Sequence, residues 1–247
     1  MLAFPHRGST IRMRRWITIP TYNERENIGT LIHEVAKVMP DVQILIVDDN
    51  SPDGTADTIR CLQRTNPNLH LHVRECKKGL GSAYVDAFRK LLNEEEFDTV
   101  TTMDADFSHS PCYLPQMHEL ASEYDMVIGS RYTKGGGSQG WARRRQLLSA
   151  TANSYARLVT EVSVKDLTAG FVTFRRSILE KLPLERIHSS GYAYTIELKC
   201  LAIFAGARAK EIPIIFEERR EGNSKLSFRI IREGVYAPWY ARSLSNR

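Results

Sequence analysis

Five short, apolar, largely β-branched runs, at residues 16–20, 43–48, 70–74, 99–104 and 126–130, punctuate the first half of the chain. Short apolar runs of this kind read as buried parallel strands. The segments between them switch period. Ile28, Leu31, Ile32, Val35 and Met39 recur at three and four residues, as do Leu80, Tyr84, Ala87, Phe88 and Leu91, and each set makes one apolar helix stripe. The resulting β-α-β-α order predicts an α/β fold, a mostly parallel Rossmann-like sheet with helices on both faces. In such a sheet ligands bind outside the carboxyl ends of the strands. Several runs end there in polar or turn-forming clusters: Pro20-Thr21-Tyr22-Asn23-Glu24, Asp48 to Thr55, Asp104-Ala105-Asp106 and Gly129-Ser130-Arg131-Tyr132.

Beyond Gly140 the pattern predicts a helix over 143–162, a strand over 172–175, a helix over 194–205 and a strand over 209–216. The Gly-Gly-Gly-Ser stretch at 135–138 reads as a mobile loop over a site rather than a linker, because the sheet needs the later strand. A chain of 247 residues then holds one large domain at 14–233. Residues 1–13 read as a loose leader without the apolar core of a secretory signal, and Met13 as an alternative start. No window approaches the roughly 18 apolar residues of a membrane span. Four unclustered cysteines favour reduced packing residues, and with the leader this predicts a cytoplasmic protein.

The net charge is +5, and residues 219–247 alone carry seven basic and two acidic side chains. Phe228, Ile230, Ile231, Tyr236, Trp239 and Tyr240 are interleaved with those cations. The segment 234–247, with Pro238 interrupting it, reads either as a basic aromatic tail on an anionic membrane surface or as the solvated face of a packed helix. No nucleic-acid-binding motif accompanies the charge, so no nucleic acid partner is expected.

Asp104-x-Asp106 directly follows a strand, which puts two carboxylates on the lip of the sheet, where a divalent cation can join them to a diphosphate. Hard oxygen ligands select Mg2+ or Mn2+. Asp48 and Asp49 suit a base or ribose, or else cap the helix opening near Thr55. Asp53-Gly54 reads as a turn. Lys77-Lys78-Gly79-Leu80-Gly81 is a phosphate-binding candidate at a helix start, although it is not a Walker sequence. His109 is a candidate ligand or base. Neither G-x-S-x-G nor H-E-x-x-H occurs, which removes the commonest hydrolase chemistries.

Together these clusters resemble the ordered motifs of glycosyltransferase family 2, most closely its dolichol-phosphate (polyprenol-phosphate) mannose synthase branch in the short form without membrane helices. The motifs are PTYNE at 20–24, DDNSPDGT at 48–55, KGLGSAY at 78–84, DADFSHSP at 104–111, GSRY at 129–132, DLTAGF at 166–171, GYAY at 191–194 and GNSK at 222–225. The resemblance spans about residues 16–233, and Ala87 and Ala169 stand where the branch has glycine. It implies a GT-A fold and inverting, metal-dependent transfer of mannose from GDP-mannose to a polyprenyl phosphate. It further implies that Pro20, Tyr22, Glu24, Val47 and Asp49 hold the nucleoside. Asp104, Ala105 and Asp106 would hold metal and diphosphate, with Asp104 and Asp106 as the metal ligands. Arg131, Arg219 and Lys225 would face the phosphates, and with Asp106 they form the catalytic set. The implied place of action is the cytosolic membrane face, with or without a membrane-anchored partner subunit. A UDP-glucose donor, a nucleotidyltransferase releasing pyrophosphate, and an inactive transferase fold serving as a membrane-surface adaptor remain open alternatives.

Overall fold

The computed structural model describes residues 13–189, 191–218 and 228–246. Its centre is a seven-stranded sheet in the order β3-β2-β1-β4-β7-β5-β8. The strands are β1 (Arg15–Thr21), β2 (Gln43–Asp48), β3 (Leu69–Val73), β4 (Thr99–Thr102), β5 (Met126–Ser130), β7 (Val172–Arg175) and β8 (Ala209–Pro213). All pair in parallel except β7, which runs antiparallel between β4 and β5. The α-helices are α1 (Arg25–Val38), α2 (Thr55–Gln63), α3 (Leu80–Glu94), α4 (Leu114–Leu120), α5 (Arg143–Thr160), α6 (Arg176–Leu179), α7 (Tyr194–Phe204) and α8 (Phe228–Ser243).

Both faces of the central strands are covered. Ile17 and Ile19 of β1 with Ile44 and Ile46 of β2 pack against Ile28, Leu31 and Val35 of α1. Trp16, Leu45 and Val47 point the other way, into a core with Tyr84 and Phe88 of α3 and Leu198 and Leu201 of α7. The chain leaves β1 towards β2 on one side and later returns to place β4 on the other. That reversal opens a crevice at the carboxyl ends of β1 and β4, the usual ligand position in an open α/β sheet.

Three expectations are corrected. The Gly-rich stretch is not a mobile loop: Gly137–Gln139 forms β6, paired in parallel with β9 (Ile215–Glu217). The glycine at 136 serves close approach instead, since a Cβ there would lie 2.4 Å from the Ser130 carbonyl oxygen. The single strand expected over 209–216 divides at Ile214, whose N–H donates to Ser130 O at 3.1 Å, so its second part joins β6 rather than the main sheet. Pro238 does not interrupt the tail, because α8 runs through it. Ala237 and Ala241 of α8 are buried, whereas Tyr236 and Trp239 are exposed, so the segment is a packed helix with an aromatic outer face. The leader lies almost entirely outside the described residues.

One buried histidine belongs to the core and not to chemistry. His118 of α4 sits between the Thr99 and Thr101 hydroxyls at 2.8 and 3.0 Å, and burial pushes its pKa down to about 3, which keeps it neutral.

Candidate active site

After Thr102 the strand pairing of β4 ends and the chain turns sharply. Phe107 occupies the left-handed region at φ 63°, which is unfavourable for an aromatic side chain and marks a turn held by its surroundings. The turn leaves Asp104 half-buried at the crevice and buries Asp106, 7% exposed. Asp104 Oδ1 accepts from the Tyr84 hydroxyl at 3.4 Å, and Asp106 Oδ1 accepts from Ser108 N–H at 3.1 Å. A Cβ at Gly170 would lie 3.8 Å from Asp104 Oδ2, so the loop after Asp166 lies against this carboxylate.

His109 is neither a free base nor an exposed ligand. Its Nδ1 accepts the Asp104 backbone N–H at 3.1 Å, and its ring stacks on Phe171 at 4.9 Å and meets Phe216 edge-on at 5.4 Å. Burial lowers its pKa to about 4 against the opposing pull of Asp106, so the ring is neutral and orients the backbone of Asp104.

The carboxylate pair fits a hard divalent cation. Among the described residues no cluster of three or more His, Cys, Asp or Glu is placed to hold a metal alone. Mg2+ and Mn2+ do not demand such a cage, since one or two carboxylates with substrate phosphates and water complete their shell. The Ser108 hydroxyl, buried beside Asp106 with no hydrogen-bond partner among the described residues, is a further oxygen donor at the same turn.

On the β1 and β2 side, Asp48 accepts from the Thr21 and Ser51 hydroxyls, each at 2.7 Å, and this binds the two strand ends together. Asp53 accepts from Thr55 N–H at 3.0 Å and Arg25 N–H at 3.1 Å, so it closes the turn into α2 as expected. Asp49 is not an open carboxylate. It forms a buried ion pair with Arg74, whose Nε also reaches Asp86 at 3.0 Å. Tyr22 is partly exposed at the rim with the Lys77 ammonium 3.4 Å above its ring, and Glu24 Oε2 accepts from Asn27 at 2.9 Å. The side chains of Val47 and Ala105 are buried, so any contact they make with a nucleoside or diphosphate runs through the backbone. Pro20 is half-buried opposite Val47 in the β1–β2 register. The glycines near Lys77 have structural roles: Gly79 takes φ 99° at the entry to α3, and a Cβ at Gly81 would lie 2.3 Å from Ser189 O.

Arg131 leaves β5 at the same edge. Its Nε and Nη2 donate to the two Asp166 carboxylate oxygens at 2.9 and 2.8 Å, and Nη2 also donates to Thr168 Oγ1 at 2.7 Å. Burial opposes the charge of Arg131, but the Asp166 carboxylate outweighs it and raises the pKa further. The rings of Tyr132, Phe216 and Trp141 surround the guanidinium at 5.3–5.8 Å. Beside it a cavity of about 530 Å³ is lined by Arg131, Tyr132, Ser138, Trp141, Arg143 and Leu147. Arg219 and Lys225, the other expected phosphate cations, lie outside the described residues. Sequence reasoning missed the roles of Arg74, Trp141 and Phe216, and it quoted Asp166 and Thr168 without their partner. No local pattern links Asp166 to an arginine 35 residues earlier.

A mostly parallel sheet with a carboxylate pair and a caged arginine at one edge defines a class of sugar-nucleotide transferase fold. Residues 16–183 match the family model of Glycosyl transferase family 2, and the chain belongs to that family: it is a glycosyltransferase. It is 40% identical over 245 residues to the polyprenol monophosphomannose synthase of Mycolicibacterium smegmatis, covering 97% of this chain and 92% of that protein. It is 37% identical over 223 residues to the undecaprenyl-phosphate mannosyltransferase of Micrococcus luteus, with 90% and 91% covered. Among solved structures it is similar to glucosyl-3-phosphoglycerate synthase from Mycobacterium tuberculosis in complex with Mn2+, UDP and phosphoglyceric acid. The TM-score is 0.67 at 18% identity, with 94% of this chain and 78% of that one covered, which supports the GT-A fold.

Proposed function

We propose that this glycosyltransferase moves mannose from GDP-mannose to a polyprenyl phosphate, with inversion at the sugar, and releases GDP. The observation that carries this reading is that both relatives, aligned over 90% or more of the chain, are named for mannose transfer or for mannosylated polyprenyl phosphate. The chemistry of the site agrees. An oxygen of the acceptor phosphate attacks the anomeric carbon while the bond from that carbon to the donor diphosphate breaks. The second pKa of a phosphate monoester is about 6, so the nucleophile is already anionic at neutral pH and needs no side-chain base. The buried, neutral His109 is therefore no obstacle to the mechanism. Asp104 and Asp106 would hold Mg2+ or Mn2+, which supplies charge neutralisation for the departing diphosphate. Arg131 would steady phosphate charge at the cavity, with Arg219 and Lys225 assigned to the same task. Tyr22, Glu24, Asp49 and the backbones at Pro20, Val47 and Ala105 would form the nucleoside side. Incubating the protein with radiolabelled GDP-mannose, a polyprenyl phosphate and Mg2+ should yield extractable labelled lipid. Transfer from UDP-glucose instead would overturn the donor assignment, and label in no lipid at all would overturn the reaction.

The lipid acceptor points to a peripheral place on the cytosolic membrane face. Among the described residues no helix is long and apolar enough to cross a membrane. Helix α5 carries Arg143, Arg144, Arg145 and Arg157 with no acidic residue, and its Leu147, Leu148 and Leu158 are 69%, 56% and 79% exposed. Trp239 of α8 donates its indole N–H to Tyr155 of α5 at 2.8 Å, so the two helices share one basic, apolar outer face. Deleting 234–247 would strip Ala237 and Ala241 from the core, so surface substitutions are the better test. Leu148→Glu with Leu158→Glu should weaken binding to anionic vesicles by at least about tenfold while donor affinity holds. Unchanged vesicle binding would direct attention to a membrane-anchored partner subunit instead.

A further inference from the structure

Helix α7 is the most deeply buried helix of the fold, yet its centre carries a lysine. Lys199 is 1% exposed, and its ammonium donates to three backbone carbonyls, Ala169 O at 2.6 Å, Leu167 O at 2.9 Å and Thr195 O at 3.2 Å. Lysine is among the residues least often buried, because stripping its charge of water is costly. A methionine would fill the same space without that cost. The carbonyls of Leu167 and Ala169 bracket Thr168, and they belong to the loop whose Asp166 and Thr168 grip Arg131 and whose Gly170 lies against Asp104. Thr195, one turn earlier on the same helix, adds its hydroxyl to Leu167 O at 3.2 Å.

We infer that Lys199 is a positioning residue for sugar transfer: it pins the 166–170 loop to α7, and through that loop it sets the Arg131 guanidinium and the backbone beside Asp104. The three carbonyls require the three N–H donors that only the ammonium form provides. Burial lowers the Lys199 pKa to about 7, while the Asp166 carboxylate supports the charge. Through this loop the Lys199 ammonium spans the two groups assigned to phosphate charge, Arg131 and the Asp104 carboxylate. Its removal leaves both charges in place but loosens their alignment, so it should act on turnover more than on donor affinity. This inference rests on the proposed role of Arg131 at the phosphates.

The test uses the full chain as Lys199→Met, Lys199→Gln and Arg131→Lys, each checked by circular dichroism and thermal unfolding. Arginine Nε–H signals are recorded by ¹⁵N NMR without substrates, that of Arg131 being assigned by its disappearance in Arg131→Lys. Lys199→Met should lower kcat by at least about tenfold, change the donor KM by less than about threefold, and move or broaden the Arg131 Nε–H signal. Lys199→Gln, which retains two N–H donors, should fall between wild type and Lys199→Met, and it is the deciding variant if the methionine variant does not fold. Wild-type kcat with an unmoved signal in a folded Lys199 variant overturns the inference alone, provided Arg131→Lys is impaired. Unimpaired turnover in Arg131→Lys overturns both the role of Arg131 and the inference built on it.

Discussion

Replacing Asp106 by alanine is expected to cut turnover by at least about a thousandfold, equivalent to ~4 kcal/mol of transition-state stabilisation, and a chelator in excess should do the same to the unaltered protein. The size follows from the work the carboxylate is assigned. Two anions, a sugar nucleotide and a lipid phosphate, must meet at one carbon, and the departing diphosphate gains charge as its bond breaks. Asp104 and Asp106 would hold a divalent cation there, which would supply charge neutralisation for the departing diphosphate, and the burial of Asp106 makes its charge worth more than that of an exposed carboxylate. The competing explanation is structural, because Asp106 is buried and accepts the Ser108 N–H at 3.1 Å within the turn strained at Phe107. Asp106→Asn separates the two. An amide oxygen still accepts that hydrogen bond and preserves the volume, but it is a far weaker ligand for a hard cation. Turnover should therefore fall almost as far in Asp106→Asn as in Asp106→Ala, with an unchanged melting temperature. Full activity in excess chelator would sink the metal role outright.

Much of this architecture is legible because burial on both faces of a strand leaves an unmistakable run of apolar residues. The runs at β1, β2 and β5 and the stripes of α1 and α3 locate the sheet edge, and the polar clusters that follow them locate the crevice. Other features were hidden for a physical reason: they are set by partners far away in sequence. Nothing in Val172–Arg175 distinguishes an antiparallel strand from a parallel one, since β7 is covered on both faces like its neighbours. The glycines at 135–137 carry the composition of a hinge, but the Ser130 carbonyl and the β9 pairing decide their role. The ion pair of Asp49 could not be read beside its sequence-based roles as a nucleoside contact or helix cap, because Arg74, its partner, lies on the far side of β3 in sequence. Lys199 is hidden in the same way: in a buried helix that also carries Thr195 and Glu197, its meaning depends on carbonyls some 30 residues earlier.

The second large effect is expected at Arg131, where Arg131→Lys should reduce kcat at saturating substrates by at least about a hundredfold, or ~2.7 kcal/mol. Charge is conserved in this change, so what it removes is geometry. The guanidinium meets both oxygens of Asp166 and the Thr168 hydroxyl at once, at 2.7–2.9 Å, and an ammonium cannot reproduce that planar fork. With the plane fixed by Asp166 and by the surrounding rings, the remaining guanidinium surface is preorganised for phosphate at no cost during the reaction. Arg219→Lys and Lys225→Ala, on cations outside the described residues, carry the smaller expectation of about tenfold each. Truncation to alanine would be a poor test at 131, since it leaves Asp166, whose side chain is wholly buried, without its counter-charge at a cost of about 3–5 kcal/mol. The lysine variant keeps that charge compensated, so its folding should survive and its kinetics can be interpreted. Asp166→Asn supplies the complementary measurement. If Asp166 only neutralises charge, an uncoupled Arg131 should bind phosphate more tightly and turnover should be spared. If Asp166 sets the plane of the guanidinium, turnover should fall in both variants and the double variant should lose little more than either alone. Independent, additive losses would show that the pair is a structural ion pair near the site, and near-wild-type kcat in Arg131→Lys would remove the arginine from the mechanism.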